Sequence, residues 1–316
     1  MIINDRVYGK SSITAPVLIS LIKSKPLQRL KGIAQYGVPD EYYIYKNYSR
    51  FEHSVGVMVL LKKLGATEEE QIAGLLHDVS HTAFSHIVDW VVGSGRTESF
   101  QDDKHKDFLN ASEVSKILKK YGYSPKKISD YKHFGLLERP LPELCADRID
   151  YSLREFPKDV ARSYFLSLIE RDGRIVVKDK KSAKIFAMNF LKRQKEHWEG
   201  FEAVSRYRIF ADVLKISLDK KIITMEDFWR EDKFVLKKLE NSKDKDIVKI
   251  LRVLGNKVLS NLPKSKKVSR KKFRYIDPLF IERGKLVRLS DVDKEFVNLI
   301  EKAKAKNDKG TTIPKI

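Results

Sequence analysis

The stretch LLHDVSHTAFSH, residues 75–86, holds three of the chain's seven histidines and an aspartate. It constrains the fold because it follows a strong helix signal. Thr67 with Glu70 three residues later reads as a capping box, and Ile72, Leu75 and Leu76 carry the apolar periodicity onward. His77 and Asp78 therefore fall at a helix C-terminus. Adjacent helical residues point about 100° apart, so both reach one ion only where the helix ends or lies alongside it. Two readings fit: a polar helix end, or a metal site with catalytic groups beside it.

An imidazole nitrogen and a carboxylate oxygen suit Zn, Mn, Fe or Ni, but two ligands do not hold an ion. His53, in RFEHSVGV, opens the preceding helix, where Val55, Val59 and Leu60 share a face and Gly65 ends the run. Packed antiparallel against the next helix, it is the natural third ligand. Asp147 in LCADRIDYSLRE, flanked by Leu144, Cys145 and Ile149, is the candidate fourth. On spacing alone His53 equally fits a local helix-start hydrogen bond, and Asp147 an ordinary helix acid. On a continuing helix His81 lies one turn beyond His77, and Asp89 follows His86 by three residues. Imidazole both holds and yields a proton near neutral pH, which a departing alkoxide requires. Arg50, one turn before His53, has planar donors that suit phosphate oxygens.

The 316 residues, 42% hydrophobic and 10% aromatic, can build a real core, which excludes wholesale disorder. Helical periods are expected from Ala15 to Pro26, from Leu27 to about Gly37, and over 51–65, 83–93, 111–121, 141–155 and 182–219. Hairpins are expected in IINDRVYGK, with Gly9 in its turn, and at 169–178, with Asp172-Gly173 as the turn. The single Cys145 excludes an internal disulfide and a Cys-rich zinc module, and fits a reducing interior. The apolar run Val55–Leu61 stops at Lys62 and Lys63, well short of the ~20 residues of a membrane span. MIINDRVYGK lacks a signal-peptide core, so a cytoplasmic protein without a membrane partner is expected.

Lys and Arg total 63 against 43 Asp and Glu, a net charge of +20 that attracts nucleotides or nucleic acid and also aids solubility. The basic run KSKKVSRKKFR (264–274) is expected as a solvated loop in preference to a nucleic-acid contact. Residues 303–316 are expected to form a flexible tail.

The ordered segments SRFEHSVGV, GLLHDVSHTAFSH and ADRIDYSLRE, preceded by LQRLKGIAQYG, resemble the HD-domain phosphohydrolases. Within that group they look most like the deoxynucleoside triphosphate triphosphohydrolases. The likeness spans about residues 1–160 and weakens beyond. It implies a mainly α fold: an HD-domain helical core over 1–160, then a mainly helical extension over 161–302 with small β-hairpins.

The resemblance further implies one divalent transition metal (Mn, Fe, Zn or Ni) on His53, His77, Asp78 and Asp147, with Mg accompanying the nucleotide. It implies catalytic roles for His81, His86 and Asp89, the last two moving a proton to the leaving oxygen. Gln35, Arg50, His105, Tyr151 and Glu155 would contact substrate, Arg50 at the triphosphate and Gln35, Tyr151 and Glu155 at the sugar. Two departures stand out. Lys104-His105-Lys106 replaces the family's Lys-His-Glu, and Glu155 replaces a shorter aspartate, so strict deoxyribose selection is not carried over. A second metal at His81 and His86, as in two-metal HD phosphodiesterases, stays open.

The implied reaction cleaves a (deoxy)nucleoside triphosphate to nucleoside and triphosphate, by metal-activated hydroxide attack at the α-phosphorus. The alternatives are a phosphodiesterase or nucleotidase acting on another phosphate ester, and a non-catalytic nucleic-acid-binding regulator. The family's habit of assembling implies a homo-oligomer.

Overall fold

A computed structural model describes residues 1–95, 97–256 and 258–315. Strands β1 (Ile2–Asp5) and β2 (Gly9–Ser12) pair as the expected hairpin, with Gly9 at φ +72. Helix α1 (Pro16–Lys23) ends before Pro26, which sits in the first turn of α2 (Lys25–Arg29), where a missing N–H removes no helical bond.

Helix α3 (Arg50–Lys63) begins with a full capping box. Ser49 Oγ accepts the Glu52 N–H at 3.1 Å, and the Glu52 carboxylate accepts the Ser49 N–H at 3.0 Å. Helix α4 (Glu68–Leu76) has only half of the box read from its sequence. Thr67 Oγ1 accepts the Glu70 N–H, but the Glu70 carboxylate turns away to accept the N–H groups of Leu136 and Leu137 at 2.7 and 3.0 Å. Two buried loop donors outcompete a helix-end donor that water could satisfy. Gly74 lets α3 and α4 approach closely, since a side chain there would overlap Leu61. The antiparallel pair brings the start of one helix to the end of the other.

No helix continues past Leu76. Residues 77–86 turn, with Phe84 and Ser85 in the left-handed region at φ 63 and 48, and α5 covers only Ile87–Val92. The helix expected over 83–93 thus starts four residues late, and His81 reaches its place by turns instead of a helical step. Next come α6 (Phe100–Ala111), α7 (Glu113–Lys120), α8 (Pro125–Ile128) and α9 (Ala146–Glu155), the last packed against α3. After α10 (Lys158–Ser167), β3 (Leu168–Arg171) and β4 (Arg174–Val177) form the expected hairpin, with Asp172 and Gly173 both at positive φ.

The single helix expected over 182–219 is broken into α11 (Lys180–Arg193) and α12 (Phe201–Asp219) by a wide turn at Gln194–Trp198 and by Gly200. There follow α13 (Asp232–Asn241), α14 (Lys245–Leu254), β5 (Lys264–Ser269), β6 (Leu279–Glu282), β7 (Lys285–Arg288), α15 (Leu289–Val292), α16 (Lys294–Lys309) and β8 (Thr311–Pro314). A four-stranded sheet has the order β3-β4-β6-β7, parallel only where Val177 meets Phe280.

Two expectations for the C-terminal region are corrected by the pairing of β5 with β8. The basic run is not loop throughout: its first half is a strand, with most of its side chains still exposed. Nor is 303–316 a free tail, because α16 extends to Lys309 and β8 returns to pair with β5. Strand partners some 45 residues apart satisfy each other's backbone, which neither lysine-rich segment announces alone.

One apolar core runs from Tyr8 to Phe296 and includes α3, α4 and α9. A second gathers Val38, residues 83–88 and α12 to α14. The turn after α4 lies where they meet. Phe84 is fully buried, in edge contact with Phe210 at 4.8 Å. Burying that ring contributes about 1.5–3 kcal/mol, comparable with the ~1–3 kcal/mol cost of left-handed backbone. Among the described residues no helix is long and apolar enough to cross a membrane.

Candidate metal centre and phosphate cavity

His53 and Arg50 project from the first turns of α3, His77 and Asp78 follow α4, and Asp147 opens α9. Their donor atoms converge. His53 Nε2 lies 3.2 Å from His77 Nε2 and 2.9 Å from Asp147 Oδ1; His77 Nε2 lies 3.5 Å from the same oxygen. Asp78 places Oδ1 3.5 Å from His77 Nε2 and Oδ2 3.7 Å from His53 Nε2. The four residues implied as ligands thus stand together.

The hydrogen bonds behind the rings say what the front can hold. His77 Nδ1–H donates to the Gly74 carbonyl at 2.8 Å, and His53 Nδ1–H to the Asp150 carboxylate at 2.7 Å. Each ring therefore presents an Nε2 lone pair, and two such pairs facing at 3.2 Å repel unless a cation lies between them. Burial by itself lowers the His77 pKa, but Asp78 and Asp147 outweigh it and push it up to about 9. His53 is raised against burial by Asp147 and Asp150. Asp78, against burial, is held below the usual carboxylate range by Arg50 and His77, and Asp147 by His53 and His77. A field that favours protons on these rings also favours a divalent ion in their place. The donor set fits a metal.

Asp150 was not picked out from the sequence. It lies one turn after Asp147 on α9 and is fully buried. Its carboxylate also accepts Arg154 Nε–H at 2.7 Å, and Arg154 in turn pairs with Asp5 of the N-terminal hairpin at 2.7 Å. The spacing in DRIDYSLRE, with carboxylate and arginine four apart, was the available signal.

His81 Nε2 lies 3.4 Å from Asp78 Oδ1, and its ring meets His86 edge-on at 4.9 Å. Burial, then the Arg50 charge, pushes its pKa down to about 3, so it is neutral. His86 donates through Nδ1 to Asp89 Oδ2 at 3.1 Å, leaving Nε2 for the cavity. Asp89 is itself fixed by Ser94 Oγ at 2.8 Å and the Phe100 N–H at 2.9 Å.

His105 sits on α6, buried. Ser80 Oγ accepts from Gln101 Nε2 at 2.8 Å and so offers its own proton to His105 Nδ1 at 3.0 Å. That leaves His105 with an Nε2–H that has no hydrogen-bond partner among the described residues. Burial, then repulsion from His77, pushes its pKa down to about 4.

Arg50 spends three donors on the protein: Asp78 Oδ2 at 2.7 Å, Ser85 Oγ at 3.0 Å and the Gln35 carbonyl at 3.4 Å. The turn is also held from the far core: Asp232, at the start of α13, accepts the Phe84 and Ala34 N–H groups at 2.7 and 2.8 Å. Burial pushes the Asp232 pKa up to about 7 against those two hydrogen bonds.

These groups line a cavity of about 730 Å³. It narrows at Gln35, Arg50, His86, Glu98, Tyr151 and Arg274 into a smaller chamber of about 110 Å³ walled by Tyr36, Tyr43, Tyr48, His197, Trp198 and Tyr207. Gln35 Oε1 is buried there without a partner among the described residues. Glu155 lines the chamber, but its carboxylate is committed to His197 Nδ1 and Trp198 Nε1, each at 2.7 Å. Sequence reasoning missed His197, Glu98 and Arg274. Arg274 ends the basic run and forms an ion pair with Glu98 at the neck.

The HD domain family matches residues 50–155, the span from Arg50 to Glu155. With this donor set and fold, the chain belongs to the HD-domain phosphohydrolases and resembles the deoxynucleoside triphosphate triphosphohydrolase SAMHD1. Over its whole length it is similar to the uncharacterized protein YdhJ of Bacillus subtilis, with 38% identity covering 99% of this chain and 98% of YdhJ. Over 49% of its length the chain is 39% identical to the metal-dependent phosphohydrolase cns2 of Cordyceps militaris, of which it spans 45%. Human SAMHD1 is 29% identical over 40% of this chain, which spans 24% of SAMHD1. A crystal structure of a hypothetical protein from Aquifex aeolicus shares the fold at a TM-score of 0.65 and 19% identity, covering 97% of this chain and 99% of that one.

Proposed function

We propose that the protein hydrolyses (deoxy)nucleoside triphosphates to nucleoside and triphosphate. The observation that carries this reading is the adjacency of two unlike spaces, the larger of which holds the metal centre. One is a wide cavity holding His81, His105 and Arg50; the other is a small chamber whose tyrosine, tryptophan and histidine rings suit stacking against a base. The SAMHD1 likeness supports the same substrate class.

His53, His77, Asp78 and Asp147 would hold the ion, identified from the donor chemistry as Mn, Fe, Zn or Ni. When bound, it supplies an activated water and polarises a phosphoryl oxygen. Arg50 fixes Asp78 and directs its two remaining donors at the phosphates. His105 offers its unpartnered Nε2–H to a phosphate oxygen. His86, oriented by Asp89, holds a proton on Nε2 for the departing 5′-oxygen.

The test is product analysis with the Mn²⁺-loaded protein and each dNTP and NTP. Triphosphate with nucleoside is the expected result; no cleavage of any of them sinks the reading. A second reading has its own support: Glu155 already accepts from His197 and Trp198, one hydrogen bond on each oxygen, which leaves it less acceptor capacity for a sugar hydroxyl and favours a different phosphate ester. Release of orthophosphate or a nucleoside monophosphate would select that phosphodiesterase or nucleotidase chemistry.

A further inference from the structure

The second half of the basic run has no strand partner, yet its backbone is tied down. Gln194 donates to the Lys272 carbonyl at 3.5 Å and Asn307 to the Lys271 carbonyl at 3.4 Å. The segment therefore delivers its side chains to a definite place, the lining of the cavity and chamber. Lys272 lines the wide cavity, and Arg274 stands at the neck between the two spaces. Lys271 lies over the Tyr207 ring, 3.6 Å from its centre, and closes the chamber side.

The charge arrangement makes this segment significant. Arg50 has already given three of its five N–H donors to Asp78, Ser85 and Gln35. Arg148, the next guanidinium along the cavity, donates to the Glu143 and Arg139 carbonyls and lies 3.5 Å from Glu138. Lys272, by contrast, is exposed and its ammonium makes no hydrogen bond or ion pair among the described residues. Arg274 spends one terminal nitrogen on Glu98 and keeps the rest of its fork. A substrate carrying one phosphate can be satisfied at the metal centre by Arg50 and the histidines. One carrying three brings further charge that those groups cannot neutralise; free cations line the cavity at Lys106, Lys132 and the 271–274 segment, and of these only the 271–274 segment also reaches the neck.

We propose that Lys272 and Arg274 form a second phosphate grip, which selects polyphosphate substrates over single phosphate esters. The proposal deepens the triphosphohydrolase reading and rests on it for the substrate class. Arg274 would hold the phosphate nearest the neck, and Lys272 the more distant ones. The residues come from a part of the chain beyond the HD region, so the extension completes the site.

The probe is inorganic tripolyphosphate in excess Mg²⁺, compared with orthophosphate, with binding to the metal-loaded protein measured by calorimetry at two salt concentrations. Lys272→Glu should weaken tripolyphosphate binding about tenfold or more while orthophosphate binding stays within about twofold, and Lys272→Arg should restore it. The loss should shrink as salt rises. Lys272 is exposed, so folding is not at stake; Arg274→Lys, which keeps the charge but loses the fork, should give a smaller loss of the same kind. Unchanged tripolyphosphate binding in Lys272→Glu, or an equal loss for both anions, overturns the grip. Nucleotide hydrolysis with a KM indifferent to Lys272→Glu overturns the grip and leaves the triphosphohydrolase reading. Lys272-dependent tripolyphosphate binding without any nucleotide cleavage does the reverse.

Discussion

Replacing Asp150 by asparagine tests whether the carboxylate behind His53 aims the ligand or merely fills space. Asp150 Oδ2 accepts His53 Nδ1–H and Arg154 Nε–H, each at 2.7 Å, and Oδ1 accepts a second Arg154 donor at 3.1 Å. Asparagine keeps the shape with one oxygen. With that oxygen in the Oδ2 place both 2.7 Å bonds remain, but the NH₂ opposes the second Arg154 donor and the negative charge is gone. A neutral acceptor holds the imidazole Nδ1–H less firmly and makes Nε2, the atom turned toward the metal, a weaker donor to it. Loss of such an orienting partner typically weakens metal binding about 10–100-fold, or roughly 1.4–2.7 kcal/mol.

The free energy of folding should fall as well. Breaking a buried ion pair costs about 3–5 kcal/mol when the partner is stranded. Arg154 keeps Asp5 at 2.7 Å, which places the expected loss at the lower end of that range, about 3 kcal/mol. Metal content after dialysis against graded chelator, and unfolding with and without Mn²⁺, separate the two effects. A variant that unfolds early but binds metal as tightly as the parent would refute the orienting role of Asp150.

Three other perturbations test neighbouring parts of the site. Gly56→Ala should destabilise the fold although alanine favours helices by about 1 kcal/mol, because its methyl would overlap the Arg154 guanidinium and Asp150; a raised melting temperature would contradict that packing. His77→Ala should lose bound metal, whereas His86→Ala should keep it and lose about 10²–10⁴-fold in hydrolysis, read by elemental analysis beside turnover. Asp232, raised to about 7 when folded against about 3.9 unfolded, binds more protons in the native state between those values. Its contribution is therefore fully present below about pH 4 and lost as pH rises through 7. Asp232→Asn should flatten the fall of stability between pH 5 and 8 in thermal melts, and an unchanged slope would remove Asp232 as the cause.

What could be read in the sequence was what is local. The His77-Asp78 helix end, the helix carrying His53, and both hairpins follow from caps, periodicity and a Asp-Gly turn within a few residues. The four ligand candidates were recognisable because their flanking segments keep a fixed order. The unread parts depend on distant partners. Phe84 and Ser85 adopt left-handed backbone without a glycine to signal it, since Asp232 and Phe210, over a hundred residues later, hold them there. The basic run looked solvated because nothing near it shows the pairing with β8 or the Glu98 partner of Arg274. Glu155 matched a sugar-contact position, yet only the fold reveals that it also accepts from His197 and Trp198.

The seating of Phe84 in the second core has a kinetic consequence. A strained backbone persists only while its clamp is closed, so the lifetime of the arrangement of His81 and His86 is that of α12 to α14 as a cooperative unit. If those helices open as a foldon before the rest of the molecule, the turn relaxes and the histidines separate while α3, α4 and α9 stay folded. Heat or denaturant should then silence the protein below its global unfolding transition, with the metal still bound.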